Sequence, residues 1–170
     1  MRDPTLRGER LGRQLRELRE SYERALAAPR VHERAPGEPH VLFEVAGSTF
    51  ALRAAELGEL RNATELVRVP AGGSLIAGAI AHRQEIVQVI DLRALFALPE
   101  RGGAAGFVLV LRPLTLRTGV LCERLLGLHR VAPDALSRLD RVYASGHFMH
   151  GARSVAVLRS EALVQDPEPG

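Results

Sequence analysis

Residues 76–96 read IAGAIAHRQEIVQVIDLRALF. Two apolar runs, Leu75–Ala81 and Ile86–Ile90, flank the polar tip His82-Arg83-Gln84-Glu85. Short apolar runs on either side of a polar break predict two strands joined by a tight connection. Asp91 follows, and Leu92, Leu95 and Phe96 recur at helical spacing, which predicts an aspartate-capped helical turn.

Working outward, the same period continues on both sides. VLFEVAG-STFALRA, from Val41, is two short runs joined at Ala46-Gly47-Ser48, with a glycine available for the left-handed turn position. Leu57, Leu60, Leu66, Val67 and Val69 follow, with Asn62-Ala63-Thr64 as a turn. The glycine-rich run from Pro99 to Gly106 marks a break between two halves. Beyond it FVLVLRP (107–113) is one strand and LRTGVLCERLLGLHRV (116–131) two more. Pro133 to Leu139 reads as a turn or short helix. Tyr143 to Met149 and Ser154 to Leu158 complete the strands, and Glu161 to Val164 is a last helical turn. Strands about ten residues apart with short turns predict a mainly β protein, a small barrel or sandwich rather than a parallel α/β sheet.

Composition bounds the remainder. The chain has 170 residues, 46% hydrophobic and 25% charged, within the range of globular domains. Aromatic residues are only 4% and Trp is absent, so Leu, Val, Ile and Ala must build the core. All 23 basic residues are Arg, which reads as codon bias. Cys122 is the single cysteine, so no intramolecular disulfide forms and a reducing compartment is expected. No signal peptide and no apolar run near the roughly 20 residues of a membrane span is recognisable. A cytoplasmic protein, without direct membrane insertion, is the expectation. The net charge of +3 is uneven: residues 1–34 hold 9 Arg against 6 acids, and the remainder balances at 14 against 14. The body is therefore no polycation, which argues against a dedicated nucleic-acid-binding domain.

The basic segment has its own pattern. Asp3-Pro4 is a helix start, and Leu11, Leu15, Leu18, Tyr22 and Ala25 form one narrow apolar stripe. Pairs such as Glu9–Arg13 and Arg16–Glu20 lace the other faces, and Pro29 ends the helix. Such an amphipathic helix packs on its own domain or stands as a solvated extension, offers Leu11, Leu15, Leu18 and Tyr22 to a partner helix or a second copy, or turns an Arg-rich face to nucleic acid or anionic lipid. The expected organisation is a helical extension (1–34), a linker (35–40) within the Pro- and Gly-bearing run ERAPGEPH, a β body (41–165) and a tail (166–170).

The search for chemistry points away from catalysis. Cys122 lies in an apolar strand pattern and reads as a structural thiol. His147 and His150 are three apart in a strand, which puts them on different faces, and lack the ligand spacing of a zinc site. His82, at a hairpin tip, and His129, in a strand, read as ordinary surface residues. Without Lys a phosphate-binding P-loop is impossible, and neither a dinucleotide fingerprint nor a nucleophile elbow is present. The expectation is a non-enzymatic interaction module with no cofactor and no metal.

The order and spacing of these runs resemble the CheW-like domain family of bacterial chemotaxis adaptors. IAGAIAHRQEIVQVIDLRALF is similar to its central hairpin, VLFEVAGSTFAL to its opening, and ELGELRN (56–62) to its "V-x-E-I" segment. FVLVLRP, LRTGVLCERLLGLHRVAPDAL and GHFMHGARSVAVLRSEALV are similar to its second-half patterns. The resemblance implies two small SH3-like five-stranded barrels about a pseudo-twofold axis. It implies an adaptor coupling chemoreceptor cytoplasmic tips to the regulatory domain of a CheA-type histidine kinase, peripheral to the inner membrane through receptor arrays. By position, Glu59 and Arg83 match the pair linked to receptor and array contacts, and Leu57 and Leu60 lie beside them as the kinase contact. The sequence also departs from the family pattern. The tip glycine is replaced by Gln84, so residue 84 is expected to avoid a positive φ. Gln88, Cys122-Glu123 and Val157-Leu158-Arg159 replace other family residues. A divergent member that has lost one array contact and binds another partner through its N-terminal helix is the alternative expectation.

Overall fold

A computed structural model describes residues 16–20, 36–68, 75–82, 84–99, 106–112 and 117–164. The chain forms two compact units, residues 1–35 and residues 36–170. In the first, residues 16–20 are helical with Leu18 half-buried; Leu11, Leu15 and Tyr22 lie outside the described residues.

The second unit is two mixed sheets. β1 (Glu38–Val45), β2 (Ser48–Arg53), β8 (Arg124–Val131), β9 (Ser137–Arg138), β10 (Ala144–His150) and β11 (Arg153–Leu158) form a six-stranded sheet in the order β8-β1-β2-β11-β10-β9. β3 (Leu57–Asn62), β4 (Ile76–His82), β5 (Glu85–Ile90), β6 (Phe107–Leu111) and β7 (Thr118–Cys122) form a five-stranded sheet in the order β3-β6-β7-β5-β4. Short helices α1 (Leu92–Leu95) and α2 (Ser160–Val164) follow β5 and β11. Asp91 caps α1 as its position predicts, Oδ1 accepting from the Arg93 N–H at 2.9 Å.

The two sheets are one pattern used twice. Pairs Ala79–Gln88, Ile80–Val87 and His82–Glu85 become His147–Ala156, Phe148–Val155 and His150–Arg153 when 68 is added to each number (147 minus 79). The same shift carries β2 onto β7: Val89 lies parallel to Gly119, and Val157 parallel to Ala51. It also carries β3 onto β8, pairing Leu60 with Leu109 and Leu128 with Val41. Even the register shifts recur, at Ile76/Gly78 and Ala144/Gly146.

The chain does not divide at the glycine-rich run 99–106, however. Strands β6 and β7 beyond it belong to the first sheet, and the N-terminal hairpin β1–β2 completes the second. Hairpins are local, but their neighbours in a sheet are chosen by non-local packing, and the parallel pairings β5–β7 and β2–β11 leave no mark in turn chemistry. β1 also begins at Glu38, inside the stretch read as linker. Pro39 is tolerated because it precedes the first β1–β2 pair, His40 with Arg53, and is flanked by one strand only. The short strand β9, in a segment read as turn, is a further departure.

Each sheet buries its own apolar face. Leu42, Ala51, Val131, Phe148, Val155 and Val157 form one core, and Ile80, Val87, Val89, Val108, Val110 and Leu121 the other. Strands β1, β2, β6 and β7 carry unbroken buried runs, at His40–Phe43, Thr49–Leu52, Phe107–Leu111 and Thr118–Cys122. With side chains alternating between faces, a continuous apolar run marks a strand covered on both sides. Phe43 and Phe50 stack at 6.0 Å, Phe50 meets Phe96 at 5.4 Å, and Phe96 meets Tyr143 edge-on at 6.3 Å. This aromatic row links the two halves. The buried Glu123 carboxylate, where β7 passes to β8, adds a polar link. Its Oε1 accepts from the Ala46 N–H at 2.9 Å and from Arg93 Nη2 at 2.7 Å.

The hairpin tips hold a correction. Ala46 and Gly47 have φ of +50° and +79°, the pair of left-handed residues that a two-residue hairpin loop requires. At the tip between His82 and Glu85, Gln84 has φ of +69°, contrary to the expectation that losing glycine would remove the positive φ. Closing a two-residue loop on a fixed register sets the backbone there, and glutamine bears a steric cost of about 1–2 kcal/mol.

Candidate functional site

Glu59, Leu57 and Leu60 lie on β3, an outer strand of the five-stranded order. Leu57 is buried, and Glu59 and Leu60 are half-buried. Arg83 lies outside the described residues, though its neighbours His82 and Gln84 do not. The structure therefore puts Glu59 next to the start of the tip that carries Arg83.

Glu59 is the centre of a charged seam. Its Oε1 lies 3.2 Å from Arg61 Nη1, and its Oε2 lies 3.1 Å from His82 Nε2. Arg61 Nη1 reaches His82 Nδ1 at 3.2 Å, and its Nε donates to Glu65 Oε2 at 3.1 Å. Arg61 can only donate, so Nδ1 accepts, Nε2–H donates to Glu59, and a neutral imidazole satisfies both. The Glu65 carboxylate, then that of Glu59, holds the Arg61 guanidinium more firmly charged than usual. β3 and β4 stand at opposite ends of the strand order, so this seam curls the sheet towards closure.

His82 is thus not the surface residue that its place at a tip indicated: it is 7% exposed. Strand alternation carried the missed signal, because His82 shares a face with the core residue Ile80. His129 is likewise half-buried, its ring stacked on Phe148 at 5.8 Å. Cys122 is buried, and desolvation pushes its thiol well above the ordinary range, as befits a structural side chain. His147 and His150 stand on opposite faces of β10, by the same alternation.

Two further surfaces are of note. An open groove at the junction of the halves is floored by Phe50, Phe96, Leu98 and Ala156 and rimmed by Ser48 and Arg153. On the outer face of β4 and β5, Ile86 is 75% exposed opposite Ala81, and Val67, 67% exposed, bridges Ala79. Among the described residues no cluster of three or more His, Cys, Asp or Glu side chains suits a metal ion, and no helix is long and apolar enough to cross a membrane.

A family model described as CheW-like domain matches residues 39–168. Among solved structures, the scaffolding protein TtCheW from Thermoanaerobacter tengcongensis superposes with a TM-score of 0.68 at 17% identity. That alignment covers 77% of this chain and 94% of the other. No curated protein matches the chain.

Proposed function

The chain belongs to the CheW-like domain family, and on that premise we propose that it is a non-enzymatic adaptor coupling chemoreceptor tips to the regulatory domain of a CheA-type histidine kinase. The reach of the family match carries this reading: residues 39–168 include both sheets, the aromatic groove between them and the Glu59 seam. Glu59 and Arg83 are the proposed receptor and array contact. Leu57 and Leu60 are the proposed kinase edge, of which Leu60 supplies the accessible part and Leu57 packs beneath. The exposed Ile86 and Val67 extend the apolar surface on offer. Residues 1–34, with Leu11, Leu15, Leu18 and Tyr22, are proposed as a separate extension for a partner helix or a second copy.

The test is calorimetry or co-elution of the purified chain with the regulatory domain of a CheA-type kinase. Micromolar or tighter binding, about −8 kcal/mol or better, is expected. Ile86→Asp and Leu60→Asp are each expected to weaken it about tenfold or more. Absence of binding by a folded sample overturns the coupling role.

A second reading has one observation in its favour. The Glu59 carboxylate already bonds Arg61 and His82, so offering it to a receptor means giving up contacts within the chain. In that reading one array contact is lost and the N-terminal segment recruits a different protein. Removing residues 1–34 separates the two: kinase binding persists in the first and partner binding disappears in the second.

A further inference from the structure

The pseudo-repeat places a second seam opposite the first, and its chemistry is different. Glu59, Arg61 and His82 correspond to Gly127, His129 and His150 under the same shift of 68 (150 minus 82). β8 and β10 are separated by three strands in the sheet order, yet their rings meet. His129 and His150 lie edge-on at 4.6 Å, and His129 stacks on Phe148. His40, 2% exposed and paired with His129 across β1–β8, reaches Phe148 at 6.2 Å. Three imidazoles thus close the mouth of the six-stranded sheet around one phenylalanine of its core.

Among the described residues no carboxylate bonds any of the three rings, and Glu44, the acid nearest in the ladder, is held by Arg153 and Arg124. From β1, Glu38 contributes its backbone carbonyl to His40 Nδ1 at 2.9 Å. From β11, Arg153 stands opposite His150 and bonds Glu44. From β9, Arg138 is paired with Gly146. In the first seam the corresponding histidine sits between Glu59 and Arg61, with Glu65 beyond.

We propose that the seam where His129 meets His150 and Phe148 is an acid-sensitive latch: protonation of His129 at mildly acidic pH loosens β8 from β10, while the carboxylate-bearing β3–β4 seam stays closed. A charged His129 ring would stand edge-on to His150 at 4.6 Å with no carboxylate bonded to it, so its protonation is opposed where the first seam's carboxylates would favour it. Burial first, then His150 and His40, holds the His129 imidazole below its ordinary value of 6.5. The unfolded chain therefore binds the proton more readily, and the stability of this seam, complete above 6.5, is lost as pH falls below it.

Amide exchange on the full chain tests the latch, with the equivalent ladders β1–β8 and β3–β6 as probe and internal reference. Between about pH 7.5 and pH 5.5, after correction for intrinsic rates, β1–β8 amides are expected to lose protection about threefold to tenfold relative to β3–β6. His150→Gln, at an exposed position, and His129→Gln are each expected to flatten that ratio. Equal change in both ladders, or an unchanged ratio in a folded His150→Gln sample, overturns the proposal.

Discussion

His82 and Glu59 meet at 3.1 Å between Nε2 and Oε2, joining the last residue of β4 to the middle of β3. These strands stand at the two ends of their sheet's order, so this contact spans the seam where the sheet curls back on itself. Because Arg61 occupies the other ring nitrogen, the histidine is held in a single tautomer.

Removing that ring should leave Glu59 and Arg61 without the partner they share. His82→Ala is expected to destabilise the domain by about 1–3 kcal/mol, the cost of a buried polar contact. His82→Gln, which can both donate and accept, should recover part of the loss. Urea denaturation of the two variants measures the difference.

The positive φ of Gln84 makes an opposite prediction. Gln84→Gly relieves left-handed strain and gives back part of the gain through a more flexible unfolded chain. A net stabilisation of about 0.5–1 kcal/mol is expected by thermal or urea denaturation. A loss would show that the tip does not constrain this residue as its register implies.

Gly78 and Gly146 occupy equivalent places, and in both a strand or bridge partner fills the space of a side chain. A Cβ on Gly78 would lie 2.3 Å from the Val67 carbonyl oxygen, and one on Gly146 2.7 Å from that of Ser137. Alanine at either position is expected to cost about 2–3 kcal/mol, since backbone must move. Gly58→Ala is the control. Its nearest neighbour would be at 3.4 Å, and its effect should stay within about 0.5 kcal/mol.

Cys122 offers a probe of the core without any substitution. Its thiol is 1% exposed and desolvation disfavours the thiolate. Labelling by a thiol reagent near pH 8 should be slow in native protein and rise with urea along the unfolding curve. Rapid labelling of folded protein would show that the second strand of the β6–β7 hairpin opens locally.

Much of the fold was legible because its signals are local. The two apolar runs either side of the 82–85 tip, the Ala46-Gly47 turn and the Asp91 cap each act within a few residues, and each forms within a residue of where it was read. The resemblance carried the pairing of two similar halves. The candidate site was legible only in part. Glu59 was named by position, whereas its engagement by Arg61 and His82 went unread because a seam between distant strands has no spacing in sequence.

Most strands and turns of the β body were legible to within a few residues in the sequence, apart from the start of β1 at Glu38 and the short strand β9. Tertiary structure alone decided which hairpin completes which sheet, sending β1–β2 to the C-terminal strands and β6–β7 to β3 and β5. It also decided that one of two equivalent seams carries carboxylates and the other three histidines. The physical reason is that turn and cap preferences are paid within a few residues of chain, whereas the choice among apolar strands of similar pattern depends on burial that only the assembled core supplies.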